Sequence, residues 1–163
     1  MKPEIQHIAI SQPDGSLAIM QFVTKGHLDA VGTIFERDAT DEAVAEEIAK
    51  AGLSPVSWRR IDAVDIPADR QFRAAWRDNG QIDIDMPTAR DIHRDRLREM
   101  RAPRLRVLDI EYQRADEAGD DARKAEIAVL KQALRDVTTD PAIDMAETPD
   151  ILVDAIPAAL VEG

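Results

Sequence analysis

Apolar and polar positions in the first part of the chain follow the pattern of a β-hairpin. Residues 5–10 and 17–23 are both largely apolar, and they flank the turn sequence Pro13-Asp14-Gly15-Ser16. Two β-compatible segments joined by a short connection that contains Asp-Gly are typical of paired antiparallel strands.

The pattern then changes to a helical one. Val44 and Ile48 are four residues apart, Thr40 stands at the N-cap position, and Gly52 follows the last helical residue, which predicts a helix over about 41–51. Residues 56–61 have the composition of a strand. The first 62 residues therefore predict a small β-β-α-β unit in which one helix covers one face of a sheet.

The next segment predicts a short helix over 65–76. Phe72, Ala75 and Trp76 are spaced so that they share one helical face. The turn sequence Asp78-Asn79-Gly80 follows, and residues 82–85 fit either a short strand or an extended lead-in to the second half.

Two amphipathic stretches on either side of Gly119 form the most informative pattern in the chain. Each has apolar residues at helical spacing, and a Gly-Asp pair joins them, which predicts an antiparallel helical hairpin. Pro103 interrupts the first stretch, so a kink or break is expected near 101–102. The apolar seam expected to join the two arms consists of Leu97, Met100, Leu105, Leu108, Ile127, Leu130 and Leu134.

These patterns together define the predicted fold class. It is α+β, with a small N-terminal β-β-α-β unit followed by a C-terminal antiparallel helical hairpin. The predicted domains are 1–80 (small α+β domain), 81–140 (helical hairpin) and 141–163 (short helices and a tail). Two cap-and-proline sequences, Thr139-Asp140-Pro141 and Thr148-Pro149-Asp150, mark the beginnings of the short helices.

Charge restricts the classes of partner. The formal net charge is −11, which repels nucleic acid and anionic lipid surfaces. No apolar run approaches the roughly 20 residues needed to span a membrane. There is no cysteine, which excludes disulfides and thiolate metal sites.

The charges are unevenly distributed along the hairpin. Residues 86–115 contain eight arginines and five acids, whereas residues from 116 onward contain four bases and twelve acids. This asymmetry predicts a basic arm folded against an acidic one. The arginines also alternate with Asp91, Asp95 and Glu99, which favours ion pairs within the first helix.

The sequence contains one candidate metal site and no recognisable catalytic motif. Asp83, Asp85, Asp91 and His93 offer the oxygen and nitrogen ligands of a hydrolytic metal centre. Helix capping by Asp85 and solvation of the other carboxylates are the favoured interpretation. No Gly-x-Ser-x-Gly elbow and no glycine-rich phosphate loop is present, so no cofactor is predicted. A metal-dependent hydrolase remains a further alternative.

Several short elements within about residues 60–150 resemble those of a known group of proteins. They are Asp65-Ile66-Pro67-Ala68-Asp69-Arg70, Phe72-Arg73, Ala75-Trp76, Asp85-Met86-Pro87, Ala89-Arg90, Ile92-His93-Arg94, Leu108-Asp109 and Lys131-Gln132-Ala133-Leu134-Arg135-Asp136. These elements resemble small proteins encoded in the tail regions of tailed bacteriophages, and the helical hairpin with its proline-punctuated ending is similar to that of phage tail and tail-fibre assembly chaperones.

The resemblance implies a non-enzymatic bacteriophage tail protein that acts through protein-protein contacts, as a structural or accessory component of the virion. The alternative is a transient tail or tail-fibre assembly chaperone. The implied partners are other phage tail or fibre proteins, with self-association left open, and the implied location is the tail region of the virion after synthesis in the host bacterial cytoplasm. The residues expected to contact a partner are Arg94, Arg98, Arg101, Ile151, Leu152 and Ile156.

Overall fold

The computed structural model describes residues 3–27 and 34–161, without the side chains of His27 and Ile34. The chain forms two compact units, Met1–Asp85 and Met86–Gly163. Helices account for 54% of the residues and strands for 21%, which confirms the expected mixture of helix and sheet.

The first unit contains a four-stranded antiparallel sheet with strand order β3-β2-β1-β4. The strands are β1 (Glu4–Ser11), β2 (Leu17–His27), β3 (Ile34–Glu36) and β4 (Ser57–Ile61). The predicted hairpin is β1-β2, and its turn is closed by Asp14, whose carboxylate accepts hydrogen bonds from the Ser16 backbone and hydroxyl. Strand β3 was not predicted, because three residues are too few to show alternation. The described residues up to Ile61 therefore have the order β-β-β-α-β, where the sequence indicated β-β-α-β.

Helix α1 (Asp41–Lys50) agrees with the predicted one. The Thr40 hydroxyl accepts a hydrogen bond from the Ala43 backbone at 3.2 Å, and the Leu53 N–H donates to the Ile48 carbonyl across Gly52, which has φ +72°. One hydrophobic core unites this helix with one face of the sheet and consists of Ile8, Ile10, Phe22, Val44 and Ile48. The N-cap and the glycine stop thus position the apolar side of α1 over the sheet.

The opposite face of the sheet is covered by a second hairpin, β5 (Trp76–Asp78) and β6 (Ile82–Ile84). Ala9, Leu17, Ile61 and Trp76 form the core there. Because both faces are covered, three consecutive residues of β1, 8–10, are all buried.

The prediction of a helix over 65–76 was wrong. One 3₁₀ turn, Ala63–Asp65, ends where the predicted helix was to begin, a second, Arg73–Ala75, lies near its end, and the chain then enters β5. Phe72, Ala75 and Trp76 are buried as expected. Apolar residues three apart fit a 3₁₀ turn as well as an α-helix, so the spacing did not distinguish the two.

The second unit is helical. Helix α2 (Met86–Glu117) is followed by α3 (Asp121–Asp136), a 3₁₀ turn (Val137–Thr139), and the short helices α4 (Pro141–Met145), α5 (Pro149–Asp154) and α6 (Ala158–Val161). Gly119, with φ +66°, makes the turn between α2 and α3, and the Asp120 carboxylate caps α3 by accepting from the Arg123 N–H. Asp140 and Thr148 cap α4 and α5 in the same way.

Helix α2 continues through Pro103 without the break expected there. A proline in a helix removes one backbone hydrogen bond, at a cost of about 3 kcal/mol. Arg101 and Arg104, on either side of the proline, both donate hydrogen bonds to carbonyl groups of later helices. These tertiary contacts hold the turn that contains the proline in helical conformation.

Candidate functional site: an apolar groove in the helical unit

Arginine side chains of α2 hold the C-terminal segment of the second unit in place. Arg90 donates to the Ala146 carbonyl at 2.9 Å, Arg101 to the Arg135 carbonyl at 2.6 Å, and Arg104 to the Ala159 carbonyl at 2.9 Å. The buried ring of His93 adds a hydrogen bond from Nε2 to the carbonyl oxygen of Ala155, at 3.0 Å. One face of α2 therefore satisfies backbone acceptors that α3 and the short helices leave unpaired.

Ion pairs between α2 and α3 have the opposite arrangement from the one predicted. The acids are on α2 and the bases on α3: Asp109 pairs with Lys131 at 2.5 Å, and Asp116 with Lys124 at 2.9 Å. Because the later residue of α2 pairs with the earlier residue of α3, the two helices run antiparallel. The sequence indicated a basic arm against an acidic arm, whereas Arg90, Arg101 and Arg104 of α2 bind carbonyl groups. Arg94 does pair with an acid of the later segment, Asp144.

The Lys124 ammonium group sits between two carboxylates. Its hydrogen bonds to Asp121 and to Asp116 raise the pKa of the lysine well above its ordinary value. The same contact with Lys124 lowers the pKa of Asp121. Both groups therefore stay charged over the whole neutral range, at the end of the hairpin next to the turn.

The six residues expected to contact a partner lie in different environments. Arg94 donates to the Thr138 carbonyl and pairs with Asp144, so it has an internal role, as Arg101 does. Leu152 is fully buried and does not lie on the exposed face to which the sequence assigned it, because α5 turns that side inward. Three of the six remain exposed: Arg98, which pairs with Asp95, and Ile151 and Ile156.

The candidate metal ligands have other partners. Asp91 pairs with Arg94, the Asp83 carboxylate accepts from Gln81, and His93 bonds to the Ala155 carbonyl. Asp85 lies 4.0 Å from the Arg77 guanidinium. Within residues 3–27 and 34–161, no group of three or more histidine or acidic side chains is arranged to hold a metal ion.

An apolar groove opens between α2, α3 and α6. Its volume is about 640 Å³. Val107 and Leu130 on its walls are 55% and 48% exposed. The groove is lined by Arg104, Val107, Leu108, Glu111, Leu130, Ala133, Leu134 and Ala159.

The predicted seam closes only in part. Leu97, Ile127 and Leu134 are buried, whereas Met100 and Leu130 are 45% and 48% exposed. Leu130 thus forms a wall of the groove and is only half enclosed by the contact between the helices. Sequence reasoning missed Val107 and Ala159 as groove residues; the only signal for Val107 was an apolar residue outside the predicted stripe.

The rim of the groove carries charges of both signs. Arg104 and Glu111 lie seven residues apart on α2 and both line the groove. Glu111 also pairs with Arg123 of α3 at 2.8 Å. An apolar floor with a mixed-charge rim is the kind of surface that receives the apolar face of a helix.

Of the helices in the described part of the chain, none combines the length and the apolar character needed to cross a bilayer. Comparison of the chain with protein-family models, curated proteins and solved structures finds no match in any of the three.

Proposed function

We propose that this protein is a non-enzymatic component of a bacteriophage tail that acts by docking another tail or fibre protein on its helical unit. The proposal has two supports. One is the resemblance of residues 60–150 to tail-region proteins, and the other is the open apolar groove of about 640 Å³. The groove is the observation that carries the proposal.

The apolar surface exposed in the groove is unfavourable in water. Val107 and Leu130 each present about half of their surface to solvent, at the mouth of a concave site. Burying apolar surface contributes about 25 cal/mol per Å², so a partner that fills the groove gains stability that a flat polar surface cannot offer. Exposed apolar residues clustered in a groove mark interaction sites more often than scattered ones do.

The partner that fits is an amphipathic helix of a tail or fibre protein. Its apolar side would contact Leu108, Leu130 and Ala133, while Arg104 and Glu111 would select complementary charges at its edges. Arg98, Ile151 and Ile156 are exposed as well, but they do not line the groove. Burial of the partner's helix in the groove would then drive assembly in the tail, and the charges at the rim would set the orientation of that helix.

Two variants at neighbouring positions test the proposal. Leu130→Asp places a charge in the groove, whereas Val129→Asp alters a residue of α3 that is 70% exposed and does not line the groove. The chain and both variants are coexpressed with the tail and fibre proteins encoded by neighbouring genes, and bound protein is quantified after pull-down. We expect recovery of a tail or fibre protein to fall about tenfold or more with Leu130→Asp and to stay unchanged with Val129→Asp.

Circular dichroism is recorded for the two variants first, and binding is compared only if both have the helical signal of the unaltered chain. Equal recovery with both variants, or no bound tail or fibre protein with the unaltered chain, would contradict the proposal. Mass spectrometry of purified particles then separates the two forms of the function. Stoichiometric presence identifies a virion component, and absence from particles identifies a transient assembly chaperone.

A further inference from the structure

Strand β1 is longer than its neighbour β4, so the sheet of the first unit has a vacant strand position where β4 ends. Strand β1 pairs with β4 only as far as His7, which lies opposite Ile61, whereas it pairs with β2 as far as Glu4. After Ile61 the chain leaves the sheet and enters the 3₁₀ turn Ala63–Asp65. Within the part of the chain that the structure describes, residues 4–6 of β1 therefore have a paired strand on one side only.

A cavity of about 410 Å³ occupies this position. It is lined by residues 5–7 of β1 and by residues 60–63 and 65, and we call it the notch.

The notch lies in the plane of the sheet. Side chains alternate between the two faces of a sheet, so His7 shares a face with Ala9, in the core that contains Trp76. Gln6 shares the other face with Ile8, in the core beneath α1. Because His7 and Gln6 both line the notch, it opens at the edge of the sheet, where β4 would continue if it were longer.

The backbone of Ile5 points into the notch. In an internal strand, the N–H and C=O groups of successive residues point to alternate neighbours. The Gln12 N–H donates to the Ser16 carbonyl on the β2 side, whereas the Ser11 carbonyl accepts from the Val56 N–H on the β4 side. The register with β2 is regular from residue 5 to residue 11, so the odd-numbered Ile5 points to the β4 side. Neither its N–H nor its C=O has a hydrogen-bond partner among the described residues.

An unpaired donor and acceptor on one residue of a strand are the groups that another extended backbone binds. One residue of an antiparallel strand exchanges both hydrogen bonds with Ile5, and main-chain pairing of this kind is how extended peptides add to sheets. A helix cannot pair in this way, because its own backbone groups are bonded within it. The three open residues of β1 give an added strand a length of about 10 Å.

The surroundings of the notch favour particular side chains in such a peptide. Asp62 and Asp65 line the notch and are exposed, whereas the charge of Arg60 is balanced by a bond to Asp41 at 2.6 Å. Val64, between the two notch aspartates, is 90% exposed. Two free carboxylates beside an exposed apolar side chain complement a peptide that carries both basic and apolar residues.

We infer that the first unit binds an extended, basic segment of another protein in the notch, as a short antiparallel strand paired with residues 4–6 of β1. The residue opposite Ile5 forms both main-chain hydrogen bonds, and a neighbouring lysine or arginine lies near Asp62. The inference goes beyond the proposed function and does not depend on it, since the notch belongs to the first unit and the groove to the second.

Amide hydrogen exchange of the full chain, followed by NMR, tests whether the strand position is vacant. Ala9 points to the same side as Ile5, but it is paired with Arg59 of β4. We expect the Ile5 amide to exchange at least about tenfold faster than the Ala9 amide. Equal exchange rates would overturn the inference, because the Ile5 N–H would then already have a partner.

Binding is tested with the peptide acetyl-Lys-Val-Thr-Val-Lys-amide, whose central threonine can pair with Ile5. At saturation the peptide should shift the NMR signal of the Ile5 amide and slow its exchange about tenfold, without changing the exchange of Ala9. Two matched peptides are the controls. One is N-methylated at the central threonine and so lacks the N–H that donates to the Ile5 carbonyl, and the other has glutamate in place of both lysines.

We expect each control peptide to bind at least about tenfold more weakly than the lysine peptide. No binding of the lysine peptide, or equal binding of the N-methylated peptide, would show that no strand is added at the notch. Equal binding of the glutamate peptide would overturn the assignment of a basic segment.

Two variants test the contribution of the carboxylates. Asp62→Asn removes one charge from the notch and keeps a side chain that can cap the following turn. Glu147→Gln makes the same change of charge at an exposed position of the second unit. Asp62→Asn should weaken binding of the lysine peptide about threefold, and Glu147→Gln should leave it unchanged. Equal effects of the two variants would contradict a specific contact with Asp62.

The two proposals fail separately. Binding of the lysine peptide by a chain that recovers no tail or fibre protein overturns the proposed function alone. Recovery of a tail or fibre protein by a chain that does not bind the peptide overturns the strand-binding notch alone.

Discussion

Arg101 donates hydrogen bonds to two carbonyl groups in the last turn of α3, those of Leu134 at 3.3 Å and Arg135 at 2.6 Å. The last carbonyl groups of a helix have no partner within it, and they form the negative end of its dipole. The guanidinium group of Arg101 donates to these carbonyl groups and places a positive charge at the negative end of the dipole. Arg98, three residues earlier, pairs with Asp95 of the same helix.

The two arginines therefore predict different losses of stability. Arg101→Gln should lower the free energy of unfolding by about 1–2 kcal/mol, because it removes charge-assisted hydrogen bonds at a helix end. Arg98→Gln should lower it by less than about 0.5 kcal/mol, because an exposed pair within one helix contributes little. Urea denaturation followed by circular dichroism measures both, and equal losses would contradict the assigned role of Arg101.

The sequence could not reveal what these arginines bind. A carbonyl acceptor is present in every residue, so Ala146, Arg135 and Ala159 carry no mark that identifies them as partners. The acids at helical spacing were visible, and pairs of this kind do occur, as between Arg94 and Asp91. The long-range acceptor of a side chain depends on tertiary packing, which periodicity does not encode.

At the scale of elements, the turn between α2 and α3 depends on one glycine. Gly119 has φ +66°, and a side chain at this position would meet nothing within 4 Å. Gly119→Ala should therefore cost about 1 kcal/mol through backbone strain alone. Gly119→Asn should cost less, because asparagine tolerates the left-handed region. Thermal unfolding of both variants checks the order, and a more stable alanine variant would contradict it.

The same end of the hairpin predicts a pH dependence. The pKa of Asp121 is lowered from 3.8 by its hydrogen bond from Lys124, so its stabilising effect is present above that value and is lost as pH falls through the lower folded value. The pKa of Lys124 is raised, so its contribution is complete below 10.5 and is lost only at higher pH.

The Lys124→Met variant tests this dependence. The difference in unfolding midpoint between the unaltered chain and the variant should be constant from about pH 5 to about pH 9 and should shrink below about pH 4. Urea titrations at a series of pH values measure it. A difference that grows on acidification would contradict the assigned ion pairs.

Elements with a local chemical signature were the ones predictable from sequence. Thr40 and Gly52 mark the two ends of α1, and Asp14-Gly15 marks the β1-β2 turn. Strand β3 has no such signature in its three residues, and it depends on pairing with β2. The 3₁₀ turn at 73–75 shares its apolar spacing with a helix, so only the packing of Trp76 against the sheet reveals it.

At the scale of the molecule, each of the two compact units has a core of its own. In the second unit, Ile127, Ile143 and Leu152 have no exposed surface. We expect the fragment 86–163 to be helical and to unfold in a cooperative transition when it is expressed alone. Thermal denaturation followed by far-ultraviolet circular dichroism checks this, and a fragment without a cooperative transition would contradict it.

The groove could not be foreseen from the chain alone. It exists because Ala133 and Ala159 bring small side chains to a place where α2, α3 and α6 meet. Sequence reasoning identified Leu130 as apolar and helical but assigned it to a closed seam. Whether a half-buried leucine closes a core or forms the wall of a groove depends on the size of its neighbours in space.

Both tryptophans of the chain, Trp58 and Trp76, belong to the first unit, and its single tyrosine, Tyr112, belongs to the second. Trp76 is 1% exposed, and its indole N–H has no hydrogen-bond partner in the described chain. Its fluorescence should therefore be blue-shifted and should move to the red when the sheet opens. Indole emission reports on one unit, and helical ellipticity arises mainly from the other, so one sample provides separate optical signals for the two.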